Sequence, residues 1–250
     1  MLFRSQEAGL RPDRDFPELR ALMLVGEPLS PARRELASRV WGGIQIVQDY
    51  GSTETGSLAG ECSQGQLHLW ADRFIPRVHD PETGVSNATG EGELTVTTLY
   101  RRAMPLIRYN TQDWVRVLDT DCPCGWALPV LEVLGRDATS PLVAGHRVPQ
   151  HVVEEAVLTR LAEYGVMFWR ARPAGDHLEV EFELPRGHAE EAEDALVREI
   201  QERLGVVARA RAVPRGALVP LEALTKDPEF VKPKSLFAAG EDWDKAVSYW

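Results

Sequence analysis

The sequence predicts a mixed α/β (α+β) protein with a β-rich middle and a small βαββαβ-like C-terminal domain. Residues 19–50 read as strand, helix, strand. Residues 65–135 carry short apolar runs broken by turn residues, a strand pattern without helical period. Beyond residue 136 two helical patterns return, interleaved with strands. The change of rhythm places a domain boundary near Arg136–Asp137, dividing the chain into 1–135 and 136–250.

Taken in order, Leu19 to Gly26 (LRALMLVG) reads as a short buried strand, broken by Gly26-Glu27-Pro28. Ser30-Pro31 has the chemistry of a helix N-cap followed by proline at the first helical position. The amphipathic PARRELASRVW then runs to Gly42-Gly43. IQIVQDY is an apolar strand entering a polar loop, Gly51-Ser52-Thr53-Glu54-Thr55-Gly56. In sheets of the α/β kind, ligands bind at such carboxyl ends of strands. LHLWA, FIPRVHD, GELTVTTL and WVRVL are further strands, with a turn at Asp80-Pro81-Glu82-Thr83-Gly84 and another strand from Leu131 to Gly135. PLVAGHRV is a strand pair or turn. VPQHVVEEAVLTRLAEYG is a helix, VMFWRARP and LEVEFEL are strands, HAEEAEDALVREIQERLG is a helix, and VVARARAV is a strand.

Composition narrows the function classes. At 250 residues and 44% hydrophobic, the chain can bury a sizeable core. A formal net charge of −10 repels a phosphate backbone, so nucleic acid is not an expected partner, although one nucleotide in a local pocket is compatible. No run approaches the ~20 apolar residues that span a bilayer, and the first residues lack the pattern of a signal peptide. The expectation is a cytoplasmic protein without a membrane partner. Three cysteines are an odd number, which argues against a disulfide framework. In a reducing compartment they suggest metal or catalysis instead.

All three cysteines fall in one constellation with a histidine: Cys62, His68, Cys122 and Cys124. Three thiolates and one imidazole are a common ligand set for a closed tetrahedral zinc site. Proline in Cys122-Pro123-Cys124 fixes φ and holds a turn that aims two sulfurs at one ion. The alternative is three separate cysteines and a hydrogen-bonded histidine. A catalytic role fits less well, because four ligands leave no open position and no base lies beside a lone thiol.

The segments FPELRALMLVGEPLS, QDYGSTETG, GECSQGQLHLWADRFIPRVHDPETG, GEGELTVTTLYRRAMPLIRYNTQDW, CPCGW and GRDATSPLVAGHRV follow in this order from about Phe16 to about Glu155. Together they resemble the phenylacetate–CoA ligases, part of the acyl-adenylate-forming superfamily. The resemblance implies the C-terminal portion of a large AMP-binding domain followed by a small lid domain. It implies activation of a carboxylic acid by ATP and Mg²⁺ to an acyl-AMP, then transfer of the acyl group to coenzyme A. It also implies that the Cys/His set holds a structural metal.

By the same resemblance, Gly26, Glu27 and Pro28 line the adenine pocket, and Tyr50, followed by Gly51, packs against adenine. Thr53 contacts phosphate and Glu54 helps to hold Mg²⁺. Asp113 accepts hydrogen bonds from the ribose hydroxyls, and Arg136 reaches ribose or phosphate. The catalytic lysine of the resembling family matches Lys232 in VKPKSL, with Lys234 its neighbour and Lys226 a second choice.

Several positions depart from the pattern. Nothing in residues 1–25 resembles the Ser/Thr/Gly-rich phosphate loop, so an incomplete large domain is expected, completed by a separate N-terminal half or a dimer partner. The hinge reads Gly135-Arg136-Asp137-Ala138-Thr139, with Ala138 where an aspartate is usual and Ala144 where a basic residue is usual. Trp126 stands where an arginine is usual. The alternative function is a non-catalytic, zinc-stabilised module that binds a nucleotide or a protein.

Overall fold

The structure, a computed structural model, describes residues 9–26, 29–136, 140–220, 222 and 233–245. The chain forms two compact units, one of Arg20–Leu29 and Gln45–Ala138, the other of Met1–Leu19, Ser30–Ile44 and Thr139–Trp250.

The first unit is one nine-stranded sheet. Its strands are β1 (Ala21–Leu24), β2 (Gln45–Ser52), β3 (Gly56–Glu61), β4 (Leu67–Leu69), β5 (Phe74–His79), β6 (Ser86–Asn87), β7 (Gly90–Thr98), β8 (Tyr109–Leu118) and β9 (Val130–Gly135). They lie in the order β1-β2-β3-β4-β9-β8-β7-β5-β6. Only β1 and β2 run parallel; the other neighbours are antiparallel. Alternation along β7 and β8 turns Leu94, Val96, Val115 and Val117 inward, where they pack with Leu58, Leu69 and Phe74.

Two expectations change here. Strand β1 is not buried: Met23 is 64% exposed, and Val25 just after the strand is 63% exposed. It is the terminal strand of the sheet, and among the described residues no layer covers those side chains. The polar stretch Gly51–Gly56 is the tip of a β-hairpin, not an open loop. β2 runs on to Ser52, β3 starts at Gly56, and a register shift sits between Tyr50 and Gly51. The strands β3 and β6 carry too few apolar residues to have been marked by alternation.

The second unit holds helices α1 (Pro12–Asp15), α2 (Pro31–Val40), α3 (Gln150–Arg160) and α4 (Ala189–Leu204). It also holds a hairpin of β10 (Leu142–Val143) and β11 (His146–Arg147), and a sheet of β12 (Trp169–Ala174), β13 (His177–Glu183) and β14 (Val207–Val213). β12 and β13 are antiparallel, β13 and β14 parallel. Helix, strand, strand, helix, strand therefore follow as the sequence periods indicate. The Ser30 hydroxyl accepts from Arg33 N–H at 3.1 Å, with Pro31 at the first position of α2. Gly205 ends α4 in the left-handed conformation. Val157 and Leu161 pack with Leu178, Phe182, Leu196 and Ile200 in one core. Beyond the sheet, Ala171 N–H donates to Ser235 O and Phe237 N–H donates to Ala171 O, at 2.7 and 2.9 Å. Leu236 thus forms an isolated parallel bridge with Ala171 of β12.

Candidate functional site

Two polar constellations stand out, both on the nine-stranded sheet. The first joins Tyr50 on β2 to Asp113 on β8 and Arg136 at the end of β9. The Tyr50 hydroxyl donates to Asp113 Oδ2 at 2.7 Å, and Arg136 Nε donates to Asp113 Oδ1 at 3.2 Å. Both carboxylate oxygens are therefore engaged, one by a neutral donor and one by a cation. Burial raises the Tyr50 pKa well above its ordinary value, and the negative Asp113 adds to the shift. The phenol stays protonated and acts as donor. A carboxylate held this way keeps further lone pairs with which to accept from a diol.

Close by in sequence is the hairpin tip. Gly51 is required sterically: a Cβ there would sit 2.1 Å from Gly56 O. The Thr55 side chain, 2% exposed for the residue, locks the turn from inside. Its Oγ1 accepts from Ser52 N–H at 3.1 Å and donates to Gly56 O at 2.8 Å. Thr53 and Glu54 are left exposed at the tip. A hydrogen bond from Ser52 holds the Glu54 carboxyl below its usual pKa, helped by Glu54's own backbone N–H. Glu54 is therefore an anion at neutral pH, suited to a cation. Arg101 Nη1 donates to the Glu54 carbonyl from the far side.

The second constellation is the Cys/His set. Cys62 Sγ lies 3.9 Å from Cys122 Sγ, and Cys124 Sγ lies 3.4 Å from His68 Nε2. All four donor atoms fall within 4.8 Å of one another. Two matching turns present them. Gly65 N–H donates to Cys62 O and Gly125 N–H donates to Cys122 O, each at 3.0 Å, and both glycines have positive φ, +74° and +82°. Gln64 N–H points at Cys62 Sγ and Trp126 N–H at Cys124 Sγ, each at 3.4 Å. Burial works to raise the Cys62 thiol, but the backbone N–H groups of Gln64 and Gln66, with His68 and Cys124, outweigh it and bring it down to about 7. Burial pushes the Cys124 thiol up.

The hydrogen bond behind the histidine fits a metal as well. The fully buried His68 ring bonds Leu128 O through Nδ1 at 2.8 Å. That carbonyl fixes the proton on Nδ1 and leaves Nε2, the atom facing the sulfurs, as acceptor. Trp126 covers the imidazole edge-on, with ring centroids 5.4 Å apart. The repeated Cys-x-x-Gly at 62–65 and 122–125 is the sequence signal of these turns, and spacing arguments on the cysteines alone overlook it.

Other predicted site residues are placed less fully. Gly26 follows β1 in a positive-φ turn. Glu27, Pro28, Lys226, Lys232 and the hinge positions Asp137 and Ala138 lie outside the described residues. Lys234 is described, and its ammonium contacts Glu241 at 2.6 Å.

No family model matches the chain. Among curated proteins, it is 34% identical over 148 residues to the phenylacetate–coenzyme A ligase of Thermus thermophilus, covering 56% of this chain and 33% of that one. It is 36% identical over 124 residues to the Escherichia coli enzyme of the same name, covering 47% and 28%. The chain is related to the phenylacetate–coenzyme A ligases. The matched stretches span about a quarter to a third of these two ligases. Among solved structures, 2-hydroxyisobutyryl-CoA ligase in complex with 2-HIB-AMP superposes with a TM-score of 0.79 at 21% identity, over 94% of this chain and 51% of that one. The acyl acid amido synthetase GH3.15 superposes with a TM-score of 0.65 at 14% identity, over 93% and 48%. The fold is therefore that of adenylate-forming CoA ligases, and the chain spans about half the length of these solved neighbours. Among the described residues, no helix is long and apolar enough to cross a membrane.

Proposed function

We propose that this chain takes part in ATP-dependent activation of an aryl or other carboxylic acid, as an acyl-adenylating protein of the phenylacetate–CoA ligase type. The observation that supports it most is the convergence of Tyr50, Asp113 and Arg136 beside a hairpin tip that exposes Thr53 and Glu54. In this reading residues 1–135 belong to the AMP-binding domain and residues 136–250 to the lid. The related ligases named above and the acyl-AMP bound by a structural neighbour support the substrate class.

In the first step a carboxylate oxygen attacks the α-phosphorus of ATP and pyrophosphate leaves. In the second the coenzyme A thiolate attacks the acyl carbon and AMP leaves. Asp113 accepts from the ribose hydroxyls, and Arg136 turns its guanidinium to ribose or phosphate. Tyr50 packs on adenine beside Gly26, Glu27, Pro28 and Gly51. Thr53 donates to phosphate and Glu54 ligates Mg²⁺. Lys232 stabilises charge that develops on the bridging oxygen. Cys62, His68, Cys122 and Cys124 hold a structural zinc that closes the β-rich sheet and takes no part in the reaction. The exposed Met23 on the terminal strand β1, and Val25 just after it, favour a further polypeptide segment or second copy covering that edge.

ATP–pyrophosphate exchange across a panel of acids tests the reading, with the chain alone and with an added polypeptide that carries a phosphate loop. Acid-dependent exchange that disappears in Asp113→Asn supports it. No exchange in either arm, with no AMP binding to the chain, overturns it.

A further inference from the structure

We infer that Arg101 positions the Thr53–Thr55 turn and, with Arg73, forms an anion subsite for the polyphosphate end of a nucleotide. The inference rests on the nucleotide reading above and adds residues to it. Arg101 comes from the connection between β7 and β8, and it reaches a turn 47 residues earlier by donating to the Glu54 carbonyl. A Cβ at Gly56 would lie 3.4 Å from Arg101 Nη2, so the guanidinium lies against the base of the turn.

Arg101 is half-buried in a cavity of about 640 Å³, shared with Thr55, Ser57, Asp72, Arg73 and Thr98. Three of those neighbours have their hydroxyls committed elsewhere. Thr55 donates to Gly56 O at 2.8 Å, Ser57 donates to Asp49 Oδ1 at 2.6 Å, and Thr98 bonds Leu106 O at 3.4 Å. The donors left to meet a ligand are the guanidinium N–H groups and the hydroxyl of Tyr100, which also lines the cavity. Among the described residues the Arg73 guanidinium has only a long contact with its neighbour Asp72, at 3.9 Å. Among the described residues no carboxylate pairs with Arg101. In a chain of net charge −10, a half-buried guanidinium without a carboxylate partner calls for an external anion. A guanidinium presents five N–H donors in a planar fork, which suits phosphate oxygens. Because one donor is spent on the Glu54 carbonyl, the same side chain that receives the anion also sets the tip carrying Thr53 and Glu54.

Calorimetric titration of the full chain with Mg²⁺–ATP, AMP and inorganic pyrophosphate tests this in wild type, Arg101→Ala and Arg101→Lys. The expected result is a loss of about tenfold in affinity for Mg²⁺–ATP and pyrophosphate in Arg101→Ala, with AMP unchanged, as removal of one charge-assisted contact implies. Arg101→Lys should recover part of that loss, since it keeps the charge and loses the fork. Intact ATP binding in Arg101→Ala, or an equal loss for AMP and ATP, overturns the subsite while leaving the adenylating reading in place. A wild-type chain that binds none of the three overturns both. In the ligand-free chain, amide hydrogen exchange at residues 53–56 should speed up in Arg101→Ala; unchanged exchange refutes the positioning role.

Discussion

Tyr50 donates its hydroxyl hydrogen to Asp113 across 2.7 Å, although their strands stand four places apart in the sheet. Only a strongly curled sheet brings them together. The bond is to a charged acceptor in a largely buried setting, so its loss is felt. Tyr50→Phe should lower stability by about 1–2 kcal/mol and weaken AMP binding, because Asp113 is then held by Arg136 alone. Thermal unfolding and AMP titration read both effects. An unchanged melting temperature would show that the bond adds nothing.

Zinc should be present at about one ion per chain in metal analysis of protein purified without chelator, as a closed four-ligand site implies. Cys122→Ser and prolonged chelation should both lower the melting temperature, and the variant should no longer respond to chelator. Metal affinity should also fall with falling pH, because protons compete for the sulfurs and the imidazole. A chain that folds cooperatively without metal would rule the site out.

Glu154 ties α2 to α3. Its carboxylate accepts from Arg33 Nε at 2.8 Å and bonds the Ser30 hydroxyl at 3.1 Å, and the residue is 4% exposed. Glu154→Ala removes the carboxylate shared by the Arg33 guanidinium and the Ser30 hydroxyl in a part-buried place. The cost should be about 2–4 kcal/mol, somewhat below that of a fully buried pair. Glu154→Gln should recover some of it through the Ser30 contact. Denaturant melts of the three proteins give the ranking, and equal midpoints would contradict it.

Glu91 gives a pH dependence with a definite sign. The Trp114 indole N–H, and then Arg116, hold its pKa below the ordinary carboxylate value. A carboxyl depressed in the folded state binds protons more readily when unfolded. Its contribution is therefore complete above the unfolded value near 4.3 and is lost as pH falls through the folded value. The group is exposed and solvent-screened, so the effect is small. Glu91→Gln should flatten the stability profile below about pH 5 and leave its slope near neutrality unchanged. An unaltered acid limb would refute the assignment.

Trp243 holds the C-terminal segment on the second unit. Arg170 and Arg172 sit 4.5 and 3.9 Å from its ring centroid, and Arg170 also donates to the Trp243 carbonyl at 2.8 Å. Each cation–π contact contributes about 0.5–1 kcal/mol. Trp243→Ala should release residues 233–245 from the edge of β12, seen as faster proteolysis there and faster amide exchange at Phe237, with α4 unaffected. Equal cleavage rates in both proteins would argue against the clamp.

The sequence by itself determined what depends on near neighbours. Ser30-Pro31 caps α2, the 3.6-residue period marks α3 and α4, and period two marks β7, β13 and β14, because local geometry repeats along the chain. It also held the complete donor set of the Cys/His cluster, since three cysteines leave few combinations. Tertiary structure decided which of these parts meet. Gly51–Gly56 looks like a loop by composition, yet Thr55 folds inward and closes a hairpin. LRALMLVG is apolar enough to be buried, yet β1 lies at the sheet's end, where Met23 and Val25 face outward. Helix α2 groups with residues 139–250 through Arg33 and Glu154, 121 positions apart. Asp113 meets Tyr50 only because of sheet order and curl. Such contacts follow from register and burial summed over many strands, and no local period in the chain encodes them.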